Sequence, residues 1–193
     1  MQDYVFDPAQ VTFLKAVSRK THASAGDFDI ELAQNGPSAT ECRSGGAGGN
    51  YQVIVTFANP VALTGAAVTS GTGTVSSFSA SGTQVTLNLS GMTNAQTLVV
   101  SLTGVNDGTT TGTATVTMPV LVGDTNGDRS VNSGDSTETR SRSGQLAGAN
   151  NFRSDVNTDG TINSGDAFIV RQNSGTIVGA PDAVPSIAAA KGN

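Results

Sequence analysis

The sequence predicts a mostly β protein, in which an antiparallel sandwich over residues 11–120 precedes a small unit of two loop-helix repeats over residues 121–175. Short segments of alternating apolar and polar residues, separated by turn residues, fill the first part. A pattern of Asp, Asn and Gly occurs twice in the second part. Only 13% of residues are charged, and Gly, Ser and Thr are abundant, which favours strands and tight turns over a helical enzyme.

Nine short strands are predicted before residue 120. In one of them, Tyr51, Val53 and Val55 recur at every second position and would share one face. No convincing helix interrupts this region, so an immunoglobulin-like antiparallel sandwich is expected, in architecture only, because the Cys and Trp hallmarks of antibody domains are absent. The predicted strands are Val11–Ser18, Asp27–Leu32, Ala39–Arg43, Tyr51–Ala58, Val61–Ser70, Thr74–Ala80, Gln84–Ser90, Gln96–Gly104 and Thr113–Met118.

The two ends of the chain are predicted to be extensions. Residues 1–10 place two aromatic residues, Tyr4 and Phe6, in a terminus that would otherwise fray. We expect them to be buried, either on this chain's own sandwich or on a neighbour. Residues 176–193 are rich in Ala and contain two prolines, so they are expected to form an extended tail, either loose or laid along a surface.

One pattern is written twice after residue 120. Residues 124–135 and, 31 positions later, residues 155–166 carry oxygen-bearing side chains at positions 1, 3, 5, 9 and 12. Calcium takes about six to eight oxygen ligands, and a tightly curled loop can aim alternate side chains at it. The Asn at position 9, Asn132 or Asn163, would act through water or hold the loop shape. The predicted ligands are the side chains of Asp124, Asn126, Asp128, Asp135, Asp155, Asn157, Asp159 and Asp166, with the carbonyl groups of Ser130 and Thr161.

Ordinary turns are the alternative explanation of such clusters, since Asp and Asn side chains hydrogen-bond their own backbone. A single copy would leave that alternative open. Two copies in matching register favour calcium binding instead, and the match continues beyond the loops through Arg140 and Arg171.

Residues 121–175 resemble the type I dockerin family, whose tandem loop-helix motifs lack an entering helix and close with Asp. The resemblance implies two calcium ions, pseudo-twofold symmetry and a helix after each loop, near Ser136–Ser143 and Ala167–Asn173. It also implies a cohesin partner, contacted by loop positions 10 and 11 and by the following helix. The corresponding residues are Ser133, Gly134 and Arg140, and then Ser164, Gly165 and Arg171.

Two features depart from that family pattern. Arg129 stands at position 6 of the first loop, where glycine suits the sharp turn, so the first site is expected to be strained or weaker than the second. Gly134 and Gly165 offer no side chain at a position that contacts cohesin in the family.

No catalytic site is predicted. The chain has a single histidine, His22, and a single cysteine, Cys42, and both are expected to be structural rather than a nucleophile and its base. Asp27, Asp29 and Glu31 alternate with apolar residues, as on the solvent face of a strand, rather than forming the carboxylate pair of a glycosidase. The absence of Trp counts against an aromatic platform for sugars.

Charge and hydropathy limit the classes of partner that the sequence predicts. Two calcium ions would bring the formal net charge from −5 to −1, and no basic patch suggests nucleic acid. No apolar run approaches transmembrane length, so membrane insertion is not expected. One cysteine excludes an intramolecular disulfide. The calcium loops favour a secreted or cell-surface protein, whose signal peptide is absent from this chain.

The leading hypothesis is a non-catalytic, calcium-stabilised structural subunit of an extracellular assembly, such as a pilus-like fibre or a surface layer. It would polymerise with itself by strand addition, with Tyr4, Phe6, Phe13 and Val17 filling pockets on a neighbouring sandwich. The alternative is a dockerin adaptor that binds a cohesin scaffold, and the third hypothesis is a carbohydrate-binding module. The two units are expected to be independent, so that Asp155→Ala unfolds the second and leaves the sandwich folded.

Overall fold

The computed structural model describes residues 11–33 and 39–179. These residues form eight strands and two α-helices, with short 3-10 turns at Ala23–Ala25 and Phe152–Ser154. No helix in the described ranges has the length and apolar character needed to cross a bilayer. The strands are β1 Lys15–Thr21, β2 Asp27–Leu32, β3 Tyr51–Thr56, β4 Gly65–Ser70, β5 Thr74–Ser81, β6 Gln84–Ser90, β7 Gln96–Asn106 and β8 Thr111–Val120, and the helices are α1 Ser133–Ser141 and α2 Ser164–Gln172.

The strands form two antiparallel sheets around one hydrophobic core. The five-stranded sheet has the order β2-β1-β3-β6-β5, and the three-stranded sheet has the order β4-β7-β8. Alternation places Val53 and Val55 of β3 opposite Leu87 and Val85 of β6, and all four side chains are fully buried. Leu98 of β7 joins the same core from the other sheet. This arrangement is consistent with the predicted sandwich, and its immunoglobulin-like type stays a prediction.

Residues 39–43, predicted as a strand, form only a single parallel bridge, between Glu41 and Val120. The Glu41 N–H donates to the Pro119 carbonyl at 2.8 Å, and the Leu121 N–H donates to the Glu41 carbonyl at 2.9 Å. The strand prediction is wrong here because two charged side chains of this segment, those of Glu41 and Arg43, are buried inside the protein rather than lying on a half-exposed sheet.

Arg43 and Glu41 form a fully buried ion pair. Arg43 Nε and Nη2 donate to the two Glu41 carboxylate oxygens at 2.8 and 2.7 Å. Arg43 also donates to the Phe28 carbonyl at 2.7 Å and to the Ser18 carbonyl at 2.9 Å, and the Ser18 hydroxyl donates to Glu41. Burial acts to raise the pKa of Glu41, but the charge and hydrogen bonds of Arg43 outweigh it and the pKa is lowered.

A second, smaller core begins where the first one ends. Val120 is the last residue of the sandwich core, whereas Leu121 packs with Val131, Val156 and Val170 of the two repeats. The repeats also pair with each other's ends in a symmetrical way. The bridges join Ser130 to Ile177 and Leu146 to Thr161. Ser130 corresponds to Thr161, and Leu146 to Ile177, at the 31-residue spacing of the sequence repeat.

The start of the predicted tail lies along the first loop. The Val178 N–H donates to the Arg129 carbonyl at 3.1 Å, and Arg129 Nη1 donates to the Gly179 carbonyl at 3.0 Å. Val178 is buried in the second core. Residues 176–179 therefore belong to the folded unit, and the rest of the predicted tail lies outside the described residues.

Both helices begin three residues earlier than predicted, at loop position 10. The Asn132 side chain accepts a hydrogen bond from the Gly134 N–H at 2.7 Å, and the Asp135 carboxylate accepts one from the Asn132 N–H at 2.9 Å. Asn163 and Asp166 repeat this capping box in the second repeat. The loop residues therefore start the helices as well as closing the loops.

The buried ion pair gives the first test. Replacing Glu41 with Gln leaves the Arg43 charge uncompensated, so we expect the free energy of unfolding to fall by about 3–5 kcal/mol. Since the pKa of Glu41 is lowered, its contribution should be present above pH ~4.3 and be lost as pH falls through the folded-state value. Denaturant unfolding measures both effects.

The matched control is the Arg19–Asp29 pair, whose side chains are 37% and 30% exposed. Asp29→Asn should cost less than about 1 kcal/mol, because exposed ion pairs contribute little. Equal losses for Asp29→Asn and Glu41→Gln would contradict the importance given to the buried pair.

Candidate metal centre and docking surface

The first loop curls around its own carboxylates. Asp124, at position 1, accepts hydrogen bonds from the N–H groups of Gly127 at 2.9 Å and Arg129 at 3.2 Å. Asp135, at position 12, accepts from the N–H groups at positions 3 and 9, at 3.1 and 2.9 Å. Both carboxylates are fully buried, so the backbone fixes the two ends of the loop.

The second loop holds its two end carboxylates in a similar way. Asp155 accepts hydrogen bonds from the N–H groups of Asp159 at 3.1 Å and Gly160 at 2.8 Å. Asp166 accepts from the N–H groups at positions 3 and 9, at 3.1 and 2.9 Å. Both of these carboxylates are also fully buried.

The middle positions of each loop contact one another. At positions 3 and 5, the Asn126 amide donates to Asp128 at 3.0 Å, and the Asn157 amide donates to Asp159 at 2.8 Å. At position 7, the Thr161 carbonyl accepts from the position 9 amide at 3.0 Å. Each loop thus gathers carboxylate, amide and carbonyl oxygens, which are the ligand types that calcium takes.

The electrostatics of the loops suit a bound cation. Burial raises the pKa of Asp124, against the opposing effects of the Thr40 hydroxyl and the Arg153 guanidinium. Burial also raises the pKa of Asp166, and the nearby charges of Asp155 and Asp159 raise it further, although backbone N–H groups oppose this. Within the described residues, no group of three or more His, Cys, Asp or Glu side chains is arranged to hold a metal ion. Amide and carbonyl oxygens would therefore have to complete each site.

Left-handed backbone occurs at positions 4 and 6 of both loops. In the first loop these are Gly127, with φ 79°, and Arg129, with φ 70°. In the second loop they are Thr158, with φ 61°, and Gly160, with φ 90°. Each loop therefore holds one residue with a side chain in a conformation that favours glycine. The strain expected at Arg129 has a counterpart at Thr158. The positions of the glycines therefore do not predict which of the two loops binds calcium more weakly.

Two residues that hold the loops escaped sequence reasoning. Arg153 donates to the carbonyl groups of Asp124 at 2.7 Å, Thr125 at 2.9 Å and Thr40 at 3.1 Å, which ties the first loop to the sandwich. His22, expected only to be a satisfied polar group, contacts the Asp155 carboxylate at 2.8 Å. No local motif marks either residue, because their partners are distant in the sequence.

The histidine and the cysteine considered for catalysis both lie inside the protein. Each is fully buried. The Cys42 thiol donates to the Arg153 carbonyl at 3.6 Å, and burial raises its pKa to about 11. The thiol therefore stays protonated near neutral pH, unlike a catalytic nucleophile.

The residues predicted to contact cohesin lie on the surface. Ser133 and Arg140 of α1 are exposed, as are Ser164 and Arg171 of α2. Phe168 is 50% exposed and lies on α2 between the last two. The glycines at position 11 make room for the cap, since a Cβ on either one would lie 3.0 Å from the capping Asn oxygen.

The residues predicted to join a neighbouring subunit do not form an exposed strand. Phe13 is buried in the core against Phe57, with ring centroids 6.3 Å apart. Val17 is buried in β1, which pairs on both sides with β2 and β3. Neither side chain can fill a pocket elsewhere, because each is already packed in its own sandwich. Tyr4 and Phe6 lie outside the described residues.

Comparison with protein families gives one match. Residues 122–173 match the model of the dockerin type I domain. No curated protein and no solved structure matches the chain. Type I dockerin domains bind calcium and bind cohesins, and they are non-catalytic modules. The matched residues contain both loops and both helices, whereas the sandwich lies outside the match.

Backbone strain in the second loop can be tested directly. Thr158→Gly removes the strained side chain, so we expect calcium to bind the second loop about 5- to 30-fold more tightly, since a left-handed residue with a side chain costs about 1–2 kcal/mol. Calorimetric titration measures the change. Thr158→Ala is the matched control, because it keeps a Cβ in the left-handed backbone. Equal gains for the two variants would show that strain is not the cause.

Proposed function

We propose that the chain is an extracellular adaptor whose type I dockerin domain, residues 122–173, binds two calcium ions and attaches the β-sandwich to a cohesin-type module. The observation that carries this proposal is the family match over two loops that share the same spacing of oxygen-bearing residues. Dockerin proteins are typically extracellular or at the cell surface, which supports that location for this chain.

Calcium would be held by the loop residues named above. The side chains of Asp124, Asn126, Asp128 and Asp135 and the carbonyl of Ser130 would serve the first ion, and their counterparts the second. Calcium supplies positive charge among buried carboxylates. The chain's own backbone N–H groups hold those carboxylates in place. Asp135 and Asp166 also belong to the capping boxes, so the same residues fix the first turns of α1 and α2.

A cohesin would contact the exposed faces of the two helices. Arg140 and Arg171 supply positive charge in equivalent places on the two repeats, near the exposed Ser133 and Ser164. Phe168 adds an exposed aromatic ring to the α2 face, and aromatic side chains are frequent anchors of protein interfaces. The exposed faces of α1 and α2 therefore share an equivalent Ser and Arg, and the α2 face also presents an aromatic ring.

The adaptor is favoured over the structural subunit, which was the leading hypothesis from the sequence. The structural-subunit hypothesis predicted that Phe13 and Val17 fill pockets on a neighbouring sandwich, but both side chains are buried within this chain. The adaptor uses exposed residues instead, and the family match lies on them. The sandwich would then be the cargo that a scaffold holds.

Calcium stoichiometry tests the metal proposal. We expect the wild-type chain to bind two calcium ions, and Asp135→Ala and Asp166→Ala to bind one each, because each change removes the closing carboxylate of one loop. At a hundred times its dissociation constant, each ion should stabilise the fold by about 2.7 kcal/mol. Calorimetry and thermal unfolding measure these effects. Asp107→Ala, in a surface turn, is the control and should still bind two ions.

Cohesin binding is tested by charge reversal on both helices. We expect Arg140→Asp with Arg171→Asp to abolish capture by immobilised type I cohesin modules, because both equivalent faces lose their positive charge. Lys15→Asp, an exposed change on the sandwich, should be captured like the wild type. Undiminished capture of the double variant would exclude these helix faces as the docking surface.

A further inference from the structure

We infer that His22, a residue of the sandwich, is a positioning residue of the second calcium loop, so that the sandwich and this site form one cooperative unit. The inference rests on the proposed calcium function. It concerns how one Asp carboxylate is held before any ion binds, and it makes the two loops unequal.

The central contact joins a side chain of the sandwich to the first residue of the loop. His22 Nδ1 lies 2.8 Å from Asp155 Oδ2, and both side chains are fully buried. The Gly160 N–H donates to the same oxygen at 2.8 Å. The other oxygen, Oδ1, accepts only a longer hydrogen bond of 3.1 Å, from the Asp159 N–H, among the described contacts. Two donors thus orient Asp155 and leave Oδ1 to act as a ligand.

The partners of His22 assign its tautomer. Nε2 lies 3.3 Å from Arg43 Nη1, and a guanidinium can only donate hydrogen bonds. Nε2 is therefore the acceptor, and Nδ1 carries the proton that is donated to Asp155. Arg43 is held in turn by Glu41 and by the Phe28 carbonyl. A chain of buried hydrogen bonds runs from the ion pair of the sandwich to the calcium loop.

Aromatic packing prevents the imidazole from turning. Phe28 of β2 stacks on Phe152, which precedes the second loop, with ring centroids 5.2 Å apart. The His22 ring meets both of them edge to face, at 5.1 and 6.1 Å. Rotation of the imidazole would break these contacts together with the hydrogen bond to Asp155.

The backbone of the second loop also lies against the sandwich. The Ser44 N–H donates to the Val156 carbonyl at 2.8 Å. A Cβ on Gly160 would lie 3.0 Å from the His22 carbonyl oxygen, so the loop fits closely against this turn. The first loop has no imidazole in the equivalent place, because the chain contains a single histidine. There the smaller Thr40 hydroxyl acts on Asp124.

Calcium titration of paired variants tests the inference. In Asp135→Ala only the second site remains, so its calcium affinity can be measured by itself. In Asp166→Ala only the first site remains. We expect His22→Leu, added to each, to weaken calcium binding about 10- to 100-fold at the second site and to leave the first unchanged. His22→Asn, whose amide can replace the Nδ1–H donor, should restore most of the loss at the second site.

The outcomes separate this inference from the calcium proposal. If Asp135→Ala alone binds no calcium, the second site itself is wrong. If it binds calcium and His22→Leu changes nothing, or weakens both sites alike, the positioning role is wrong. Failure of His22→Asn to restore binding would also overturn the hydrogen-bond explanation.

Cys42 supplies a second readout that needs no mutation. Its buried thiol contacts the Arg153 carbonyl across the contact between the two units, so a thiol reagent should modify it only when they separate. We expect calcium to slow modification of the wild-type protein at least tenfold relative to chelator, and His22→Leu to remove much of that protection. Equal rates with calcium and with chelator would overturn the cooperative unit, even if the Leu variant failed to fold.

Discussion

The buried ion pair of Arg43 and Glu41 is the interaction on which the rest of this structure depends. Two charges removed from water are tolerated only when their hydrogen bonds are made. Arg43 meets that requirement with Glu41 and with the carbonyl groups of Ser18 and Phe28. The middle of β1, the start of β2 and the segment before β3 are thereby held together next to the repeat unit.

Contacts that begin at this ion pair also connect the sandwich to the calcium loops. His22 lies between Arg43 and Asp155, so the second loop contacts the sandwich through a side chain. The first loop contacts it through Arg153, which binds the Thr40 carbonyl. These contacts join the two units through a buried polar network, whereas the sequence predicted that the units unfold independently. We therefore expect Asp155→Ala to weaken the sandwich as well as the second loop.

In the proposed adaptor, this coupling would fix how the sandwich is oriented. A flexible link would let the sandwich move freely relative to the repeat unit, whereas a packed contact fixes its orientation relative to α1 and α2. Arg140 and Arg171 remain exposed, whereas apolar residues of the repeats such as Val131 and Val170 are buried in the second core. Calcium binding, docking and the placement of the sandwich then depend on the same loops.

The sequence by itself determined the features that depend on residues close together in the chain. Period-two alternation predicted most strands, and the 31-residue repeat predicted both loops, since loop hydrogen bonds join residues a few positions apart. The helix after each loop was implied by the resemblance to type I dockerins. The helix starts are local as well, but Asn and Asp form a capping box that is usually written with Ser or Thr and Glu. Only the tertiary structure decided the partners of Glu41, His22 and Arg153 and the burial of Phe13 and Val17. His22 and Asp155 are 133 positions apart, and no local pattern encodes a contact that exists only after both units have folded.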